Sequence, residues 1–414
     1  MAVGAVCAGV FYWYYLRGIG PTIKQPPQDI TKLIEPSQPN RRSSQNLAGM
    51  PLKLQEGFSI SIFANNLKMP RVLALDPAGN ILTSITGEGR VVALPDRNND
   101  GVVDEIIVIA DGLNRPHGLA FRCQETCKLY VAESDQVAVY DYDAGNLLAI
   151  NKKKIIDLPD GGRHFTRTLL FMPPPNENKL LISIGSSCDV CDEKDWRRAK
   201  VLVANEDGSG LRVFANGLRN SVFMAIHPIT GKVWATEMGR DFLGDNLPPD
   251  EINIIEQDEW YGWPWFYGKN IEDYNFSPYS RPQFAKEPKP SRIDIPTHSA
   301  PLGLAFIPAS GWPKDYQNNL LVAYHGSWNK SEPTGYKIVR YKLDEEGDYS
   351  EEEDFISGWL AKDGDPRTQR AEQSSYDGAL GRPVDILTQS NGTIYISDDK
   401  AGVIYKVAKI SDIK

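Results

Sequence analysis

A two-strand pattern recurs six times along this chain of 414 residues. Each copy has a Pro or basic residue, a short apolar strand, a turn and a second strand. The copies begin at Met69, Arg115, His164, Arg219, Ala300 and Arg382. Further strand pairs lie between them, and a lone two-stranded hairpin cannot bury its apolar face. The pattern therefore predicts an all-β fold, a six-bladed β-propeller with four-stranded antiparallel blades.

The two ends of the repeat region are expected to close the ring of blades. The segment at residues 58–64, FSISIFA, has no partner in the first copy, whereas TIYISD and GVIYKVAKI end the chain. Pairing of these N- and C-terminal strands would complete the last blade, so residues 51–414 are predicted to form one six-bladed domain. Pro- and aromatic-rich insertions at 240–295 and 345–380 lengthen the spacing of the later copies.

The N-terminus has a different character. Residues 1–16 carry no charged side chain, but they are shorter than the roughly 20 residues of a spanning helix, and they lack the basic start and small-residue cleavage site of a signal peptide. Residues 1–19 are therefore interpreted as a hydrophobic signal or a membrane anchor, with both alternatives open. Residues 20–50, rich in Pro, Ser and Gln, are predicted to be a linker.

Four of the five cysteines form two close pairs, Cys123 with Cys127 and Cys188 with Cys191. A zinc site is the alternative, but the pairs lie in separate repeats without the flanking pattern of a zinc ribbon, so local disulfides are favoured. Asp192 follows the second pair where a c-type haem would need His, so any electron partner is a separate molecule. Disulfides favour an extracytoplasmic location, periplasmic or secreted, with residues 1–16 as a candidate anchor.

The net charge is −9, from 45 Lys and Arg against 54 Asp and Glu, and this argues against a general nucleic-acid-binding protein. Cations nevertheless occur at the heads of the repeats, where the innermost strands of a propeller begin at one face of the central channel. They are Arg71, His117, His164, Arg167, Arg219 and Arg382. Such a ring suits a small polyanionic ligand, because Arg can bind a carboxylate with two hydrogen bonds.

The segment DRNNDGVVDE resembles a calcium-binding loop. Asp96, Asn98, Asp100 and Asp104 alternate with other residues, and Gly101 follows the third of these side chains, as in an EF-hand, although the bidentate Glu at position 12 is missing. The alternative is a polar hairpin turn. A calcium ion here would have a structural role.

Several ordered motifs resemble one family. They are GGRHFTRTLLF, GSSCDVCDE, GLRNSVFMAIHPITGKVWATEMGRD, PPDEINII, YGWP, LLVAYHGSWNKSEPTGYKIVR and GRPVDILTQSNGTIYISDD. Together, over about residues 51–410, they resemble the glucose/sorbosone dehydrogenase family of soluble sugar dehydrogenases, with L-sorbosone dehydrogenase-like and pyranose dehydrogenase-like members. The resemblance implies dependence on pyrroloquinoline quinone (PQQ) and Ca²⁺.

The resemblance also implies roles for individual residues. His164 matches the catalytic base that takes the proton of the sugar C1 hydroxyl, and Arg219 with Asn220 matches the pair that contacts the quinone oxygens. Arg382 matches a carboxylate-binding Arg. Thr297 stands where the family has a PQQ-contacting Thr, and a further basic contact is either His325 or Lys330.

The resemblance places a catalytic calcium ion in the loop after the GLRN blade. There the carbonyl groups of Gly239 and Arg240 and the side chains of Asp250 and Glu251 are the candidate ligands. Met238 stands where the glucose-oxidising members carry Gln, and a thioether is a poor ligand for a hard cation.

The implied function is oxidation of the C1 hydroxyl, or of an aldehyde hydrate, of an aldose or related sugar, with electrons passed to an external cytochrome or quinone. Two alternatives remain open: a binding propeller that has lost PQQ, and a Ca²⁺-dependent lactonase. Four aromatic residues of EWYGWPWFYG, namely Trp260, Trp263, Trp265 and Phe266, could stack on a sugar or pack the propeller rim.

Overall fold

The computed structural model describes residues 44–276, 287–360 and 379–410. Their strands form seven sheets, of which six are arranged as the blades of a propeller and one is a two-stranded ribbon. Strands are numbered in chain order. The first three are β1 (Gln45–Asn46), β2 (Lys53–Leu54) and β3 (Phe58–Ala64), and they join blades that later strands build. Blade 1 consists of β4 (Pro70–Leu75), β5 (Ile81–Ile85), β6 (Arg90–Leu94) and β7 (Ile107–Ala110). Blade 2 consists of β8 (Leu119–Cys123), β9 (Cys127–Ala132), β10 (Gln136–Asp143) and β11 (Leu148–Asp157).

Blades 3 and 4 are built from the middle of the chain. Blade 3 consists of β12 (Arg167–Phe171), β13 (Lys179–Ile184), β14 (Lys200–Asn205) and β15 (Arg212–Asn216). Blade 4 consists of β16 (Met224–Ile226), β17 (Val233–Glu237), β18 (Asp250–Ile255) and, after an insertion, β22 (Ile293–Ile295). The insertion contains β19 (Glu259–Trp260), which pairs with β15, and a ribbon of β20 (Phe266–Tyr267) and β21 (Ile271–Glu272).

Blades 5 and 6 contain both ends of the described chain. Blade 5 consists of β23 (Pro301–Phe306), β24 (Leu320–Tyr324), β25 (Lys337–Leu343) and β26 (Tyr349–Ser357). Blade 6 consists of β27 (Pro383–Thr388), β28 (Thr393–Asp398), β29 (Val403–Lys409) and β3, which pairs antiparallel with β29. The structure thus confirms the six-bladed propeller and its closure by the N- and C-terminal strands.

Three blades have a fifth strand in addition to the four that the repeats predict. The extra strands are β1 on blade 6, β2 on blade 5 and β19 on blade 3, each two residues long. They pair with the outer strand of their blade and cover backbone N–H and C=O groups that an edge strand would otherwise expose. Short pieces of this kind have no periodic pattern, and for this reason the sequence did not reveal them.

The blades pack face to face, and the strand sequences reflect this arrangement. Every residue of β5 and β24 is buried, because both faces of these strands are covered by neighbouring blades. The innermost strands β4, β8, β12, β16, β23 and β27 each contact the next in the ring. Several clusters of Val, Leu, Ile and aromatic side chains fill the spaces between the blades.

Antiparallel pairing determines where the functional side chains meet. The start of each innermost strand and the end of the second strand lie at the same end of a blade. His164, Arg219 and Arg382 precede β12, β16 and β27, whereas Met238 and His325 follow β17 and β24. All of these segments therefore open on one face of the propeller.

Two disulfides join Cys123 to Cys127 and Cys188 to Cys191, and this confirms the predicted local pairing. Residues 1–19 and most of the predicted linker 20–50 lie outside the described residues, so the domain boundaries stay a prediction. Part of that linker is ordered, since β1 pairs with β3, and Ala48 and Met50 are buried. In the part of the chain that the structure describes, no helix is long and apolar enough to cross a membrane.

Candidate functional site

A cavity of about 240 Å³ opens where blades 3 to 6 meet at this face. Its lining is strongly polar and comes from loops far apart in the sequence. The ionisable residues on its wall include His164, Arg219, Asp250, His298, His325 and Arg382. The cavity thus collects several of the cations that the repeat heads predicted.

His164 stands three residues before β12, and its ring is held through Nδ1. This nitrogen lies 3.0 Å from the carbonyl oxygen of Ser186 and 3.0 Å from its hydroxyl. A carbonyl can only accept a hydrogen bond, so Nδ1 carries the proton and Nε2 carries the lone pair. Burial, together with the positive charge of Arg219, lowers the pKa of His164 well below its usual value. The ring is therefore a neutral base at physiological pH.

Arg219 is buried, and its guanidinium is held by two acidic residues from other loops. Nε donates to the carbonyl oxygen of Asp189 over 2.8 Å, and Nη2 donates to the Asp189 carboxylate over 2.6 Å. Nη2 also lies 3.4 Å from the carboxylate of Asp241. Burial opposes ionisation of Asp189, but the Arg219 charge and the hydrogen bonds from the Asp241 N–H and from Arg219 together outweigh it and hold the Asp189 pKa below its usual value. Burial raises the Asp241 pKa.

Asn220 lies beside His164 in a tight place. A Cβ on Gly185 would stand 2.4 Å from Oδ1 of Asn220 and 2.7 Å from the Cβ of His164, so the close approach requires glycine. The Asn220 amide nitrogen contacts the sulfur of Met238 at 3.4 Å, while Oδ1 is buried and has no hydrogen-bond partner among the described residues. Asn220 is not among the residues that line the cavity.

Arg382 and His325 form a second basic cluster, in which Arg382 donates Nε to the carbonyl oxygen of His325 over 2.9 Å. Nε2 of His325 lies 2.9 Å from one carboxylate oxygen of Asp399, and the other oxygen binds Arg71 at 2.6 Å. Burial and the Arg382 charge lower the pKa of His325 to about 4. Of the two candidates for the further basic contact, His325 is the one that lines the cavity.

Four other predicted residues lie beside the cavity or deeper in the propeller. Lys330 donates its amine to the carbonyl oxygen of Thr297 over 3.1 Å, and neither residue is among those that line the cavity. Arg167 is fully buried and donates to the carbonyl oxygens of Pro159 and Thr166. His117, also fully buried, contacts the carbonyl oxygen of Arg167.

The two acidic residues predicted to bind the catalytic calcium ion, Asp250 and Glu251, lie on opposite faces of β18. Asp250 lines the cavity, and its oxygens accept hydrogen bonds from the backbone N–H groups of Gly239 and Ala300 at 2.8 and 2.9 Å. Glu251 points to the opposite face, because successive strand residues alternate. Its carboxylate accepts from Gly268 N–H and from the Asn253 amide. Burial raises the pKa of both carboxyls to about 7.

The carbonyl oxygen of Arg240 was predicted as a calcium ligand. The side chain of Arg240 forms an ion pair with Asp273, with the two charged groups 2.8 Å apart. Among the described residues, only one group of three or more acidic, thiol or imidazole side chains is close enough to share a metal ion. It consists of Cys188, Cys191 and Glu193, and its two cysteines form the disulfide. A cation in the cavity would therefore depend on backbone carbonyl oxygens as well as on Asp250.

The DRNNDG segment forms the turn between β6 and β7, at the outer edge of blade 1. Asp96 accepts from Gly101 N–H at 3.0 Å, Asp104 accepts from Arg97 N–H at 2.7 Å, and Asp100 donates its N–H to Asn98 at 2.9 Å. The predicted ligands thus belong to one turn, away from the cavity, and the structural calcium ion stays a prediction.

Aromatic side chains stand at the mouth of the cavity. Phe242 and Trp328 meet edge to face with ring centroids 5.7 Å apart, and the Arg163 guanidinium lies 6.0 and 5.6 Å from the two rings. Trp328 lines the cavity, and Phe242 is 38% exposed. The predicted stacking residues are elsewhere, since three of them form a buried cluster in the blade 4 insertion, namely Trp260, Trp265 and Phe266.

Sequence reasoning missed several site residues, namely Asp189, Asp241, His298, Asp399, Arg163 and Trp328. Five of the six lie inside the quoted motifs: Arg163 in GGRHFTR, Asp189 in CDVC, Asp241 at the end of MGRD, Trp328 in HGSWNK and Asp399 at the end of YISDD. The motifs do not indicate that these residues meet, because the contacts that join them to the site form between blades.

Comparisons with known proteins agree with this architecture. A family model described as TrAA12-like matches residues 52–259 and 279–410. An uncharacterized protein of Borreliella burgdorferi is 33% identical over 377 residues, which cover 86% of this chain and 90% of that protein. The pyrroloquinoline quinone-dependent pyranose dehydrogenase of Coprinopsis cinerea is 26% identical over 430 residues, 91% of this chain but 56% of that enzyme. The chain thus spans about half the length of the pyranose dehydrogenase.

Two solved structures share the fold. The holo PQQ domain of the Coprinopsis cinerea pyranose dehydrogenase superimposes with a TM-score of 0.69 at 22% identity, over 87% of this chain and 97% of that one. The calcium structure of the Trichoderma reesei Carbohydrate-Active Enzymes Family AA12 protein gives a TM-score of 0.72 at 19% identity, over 87% and 98%. With its six blades and a family match over most of its length, the chain belongs to the TrAA12-like family, and this confirms the family resemblance that its motifs indicated.

Proposed function

We propose that this chain is a PQQ-dependent sugar dehydrogenase. It would oxidise the C1 hydroxyl, or an aldehyde hydrate, of an aldose or related sugar and pass the electrons to an external cytochrome or quinone. The observation that carries the proposal is the position of His164, with Nδ1 held by Ser186, on the wall of a cavity that Arg219 and Arg382 also line. The family and the pyranose dehydrogenase relative support the same class of reaction.

His164 acts as the general base. Its Nε2 accepts the proton of the C1 hydroxyl while Nδ1 stays bonded to Ser186, so the ring does not turn during the transfer. Because the His164 pKa is well below its usual value, the imidazolium releases this proton readily to solvent after the reaction. The base is thus restored without a further acid in the site.

The residues of the cavity fit PQQ, which carries three carboxylates. Arg219 and Arg382 line the cavity and carry positive charge that attracts such an anion. Their Nε and Nη2 atoms already donate to Asp189 and to the carbonyl oxygens of His325 and Gly326, so Nη1 of each is the atom that would donate to PQQ. Asn220 packs beside His164 at Gly185, and its buried Oδ1 has no hydrogen-bond partner among the described residues, so this part of the site is not saturated by the protein's own hydrogen bonds. When bound, the quinone would supply the two-electron acceptor that takes the hydride from C1.

Arg219 has a second task during the reaction. A fixed cation beside the acceptor stabilises the negative charge that develops there, and Arg219 needs no reorganisation because Asp189 and Asp241 already hold it. Asp250 and the carbonyl oxygens of Gly239 and Arg240 would hold Ca²⁺, which would supply Lewis-acid polarisation when bound. Glu251 lies on the opposite face of β18 from Asp250, so the two carboxylates would not share one ion.

The substrate is expected at the mouth of the cavity, over Phe242 and Trp328. A volume of about 240 Å³ is small for a cofactor together with a sugar, since ligand pockets usually measure about 300–1,000 Å³. Aromatic rings stack on the apolar face of a pyranose, and Arg163 can donate to its hydroxyls. The two disulfides support a location outside the cytoplasm.

Reconstitution tests the proposal. The full chain is mixed with PQQ and Ca²⁺, and quinone absorbance and dye reduction are followed over a panel of aldoses, with samples lacking PQQ as the control. We expect saturable PQQ binding and dye reduction that depends on both PQQ and sugar. A folded protein that binds no PQQ at micromolar concentration would overturn the proposal, and a propeller that only binds another anion would be the remaining explanation.

A further inference from the structure

The loop closed by Cys188 and Cys191 lies directly against the basic side of the cavity. It belongs to the connection between β13 and β14, residues 185–199, which contains no strand. Asp189 stands inside the disulfide ring and binds Arg219, as described above. Nothing in the repeat pattern requires a disulfide at this place, so its position beside a site residue calls for a physical explanation.

Asp189 is the main partner of the Arg219 guanidinium. Its carbonyl and carboxylate oxygens accept at 2.8 and 2.6 Å, whereas the other contacts of Arg219, with Asp241 and the Met238 carbonyl, measure 3.4 and 3.3 Å. Hydrogen bonds weaken as they lengthen, and charge-assisted ones near 2.7 Å are the stronger. Loss of Asp189 would therefore leave Arg219 with its two weaker contacts.

Asp241 cannot replace Asp189, because other groups already share its carboxylate. Arg163 binds its Oδ2, and the Asn329 amide donates to its Oδ1 at 2.9 Å. Asp241 also donates its own backbone N–H to the Asp189 carboxylate at 2.9 Å. The position of Asp241 therefore depends on Asp189 as well.

The same loop reaches the base. The carbonyl oxygen of Cys188 accepts from the Ser186 hydroxyl at 2.6 Å, and Ser186 holds Nδ1 of His164. One short disulfide-closed segment thus supports both the proton acceptor and the fixed cation. Both cysteines are partly exposed, so a reductant in solvent can reach them.

We propose that Asp189 is a positioning residue for Arg219 and that the Cys188–Cys191 disulfide keeps it in place, which makes the site dependent on the redox state of this disulfide. The inference rests on the proposed function. A dithiol would break the S–S bond, giving two electrons and two protons to form two cysteine thiols, and would itself become a disulfide. The released loop would no longer restrict the backbone of Asp189, and the Arg219 guanidinium would lose its fixed orientation.

The other disulfide provides a matched control. Cys123 and Cys127 face each other on β8 and β9 and stand at the end of β8 away from the cavity. The variants are Cys188→Ser/Cys191→Ser, Cys123→Ser/Cys127→Ser and Asp189→Asn, each made in the full chain. Native protein is also measured after reduction with dithiothreitol and again after reoxidation, in case a cysteine variant does not fold.

Two readouts separate positioning from general stability. The first is modification of Arg219 by phenylglyoxal, followed by peptide mass spectrometry without PQQ. We expect modification at least about fivefold faster in Cys188→Ser/Cys191→Ser, in Asp189→Asn and in the reduced protein, and unchanged in Cys123→Ser/Cys127→Ser. Protection of Arg219 equal to that of the native protein in all samples would overturn the proposal.

The second readout is kcat in the reconstituted enzyme at 25 °C. We expect a loss of about tenfold or more in Cys188→Ser/Cys191→Ser and a smaller loss in Asp189→Asn, with the sugar KM little changed, because a small misplacement of a catalytic group reduces the rate strongly. A lower melting temperature with kcat intact would contradict the positioning role. If native protein binds no PQQ, the proposed function fails, whereas the phenylglyoxal result still decides whether Asp189 and the disulfide hold Arg219.

Discussion

Ser186 connects His164 to Arg219 through its own backbone. Its carbonyl oxygen accepts from Nδ1 of His164 at 3.0 Å, and its N–H donates to the carbonyl oxygen of Arg219 at 2.7 Å. The base before β12 and the cation before β16 therefore share one peptide segment as their support. The relative position of the two groups is fixed across a blade boundary before any ligand arrives.

The His164→Ala substitution is expected to abolish turnover and to leave PQQ binding intact. The imidazole takes the substrate proton, and removal of a general base lowers kcat by about 10²- to 10⁴-fold. Dye reduction in the reconstituted protein measures the loss, and quinone absorbance shows whether the cofactor is still bound. Retained activity would refute the assignment of the base.

The pH dependence of the native enzyme tests the electrostatics of the same residue. Burial and the Arg219 charge lower the His164 pKa, so the base stays unprotonated as the pH falls below 6.5. We expect kcat/KM to be nearly constant from pH 7.5 down to about 6 and to fall only at lower pH. A decline centred at the ordinary His value of about 6.5 would show that the site does not perturb this pKa.

Arg382→Gln is expected to weaken PQQ binding about tenfold to a hundredfold. A charge-assisted hydrogen bond to a carboxylate contributes about 1.5–3 kcal/mol, which corresponds to this range. Arg382→Lys keeps the charge but not the planar guanidinium, so it should restore only part of the affinity. Titration of quinone absorbance gives the dissociation constants, and equal values in the native and Gln forms would remove Arg382 from the cofactor site.

Trp328→Ala is expected to raise the sugar KM about three- to tenfold without changing PQQ affinity. Aromatic contacts contribute roughly 0.5–1.5 kcal/mol beyond buried area, and Trp328 lines the cavity beside Phe242 and Arg163. Trp196→Ala is the matched control, because this Trp is 51% exposed and does not line the cavity. Similar KM values in both variants would speak against a sugar platform at Trp328.

Asp385 is expected to make the protein less stable as the pH rises from 5 to 8. The carboxylate is buried and accepts from the N–H groups of Leu73 and Ile386, and burial raises its pKa to about 7. Because the folded chain holds this proton more tightly than the unfolded chain, the stability it confers is lost as the pH rises through about 7.

The size of this effect is roughly 2 kcal/mol in the free energy of unfolding between pH 5 and 8. Urea unfolding of the native protein and of Asp385→Asn at several pH values measures it, because the histidines titrate alike in both proteins and cancel in the difference. A difference that does not change with pH would show that Asp385 does not titrate in this range.

Much of the fold could be predicted from the sequence, because it depends on local patterns. Each repeat alternates short apolar strands with turns, and only packing of six such units side by side buries their faces. Closure by β3 followed from a strand without a neighbour, and the two disulfides followed from cysteines three or four residues apart. His164, Arg219 and Arg382 were found because they head their repeats and lie within the quoted motifs.

The support of these residues was decided by tertiary structure. Asp189 stands 30 residues before Arg219, and Asp399 stands 74 residues after His325. Alternation along β18 places Asp250 in the cavity and Glu251 on the opposite face, and packing of the blade 5 loop places His325 rather than Lys330 on the cavity wall. Local patterns determine which strands form and where each begins, because side-chain alternation and turns act over a few residues. Charged groups from different blades meet only after the ring has closed, and the partner of each one is therefore a property of the folded protein.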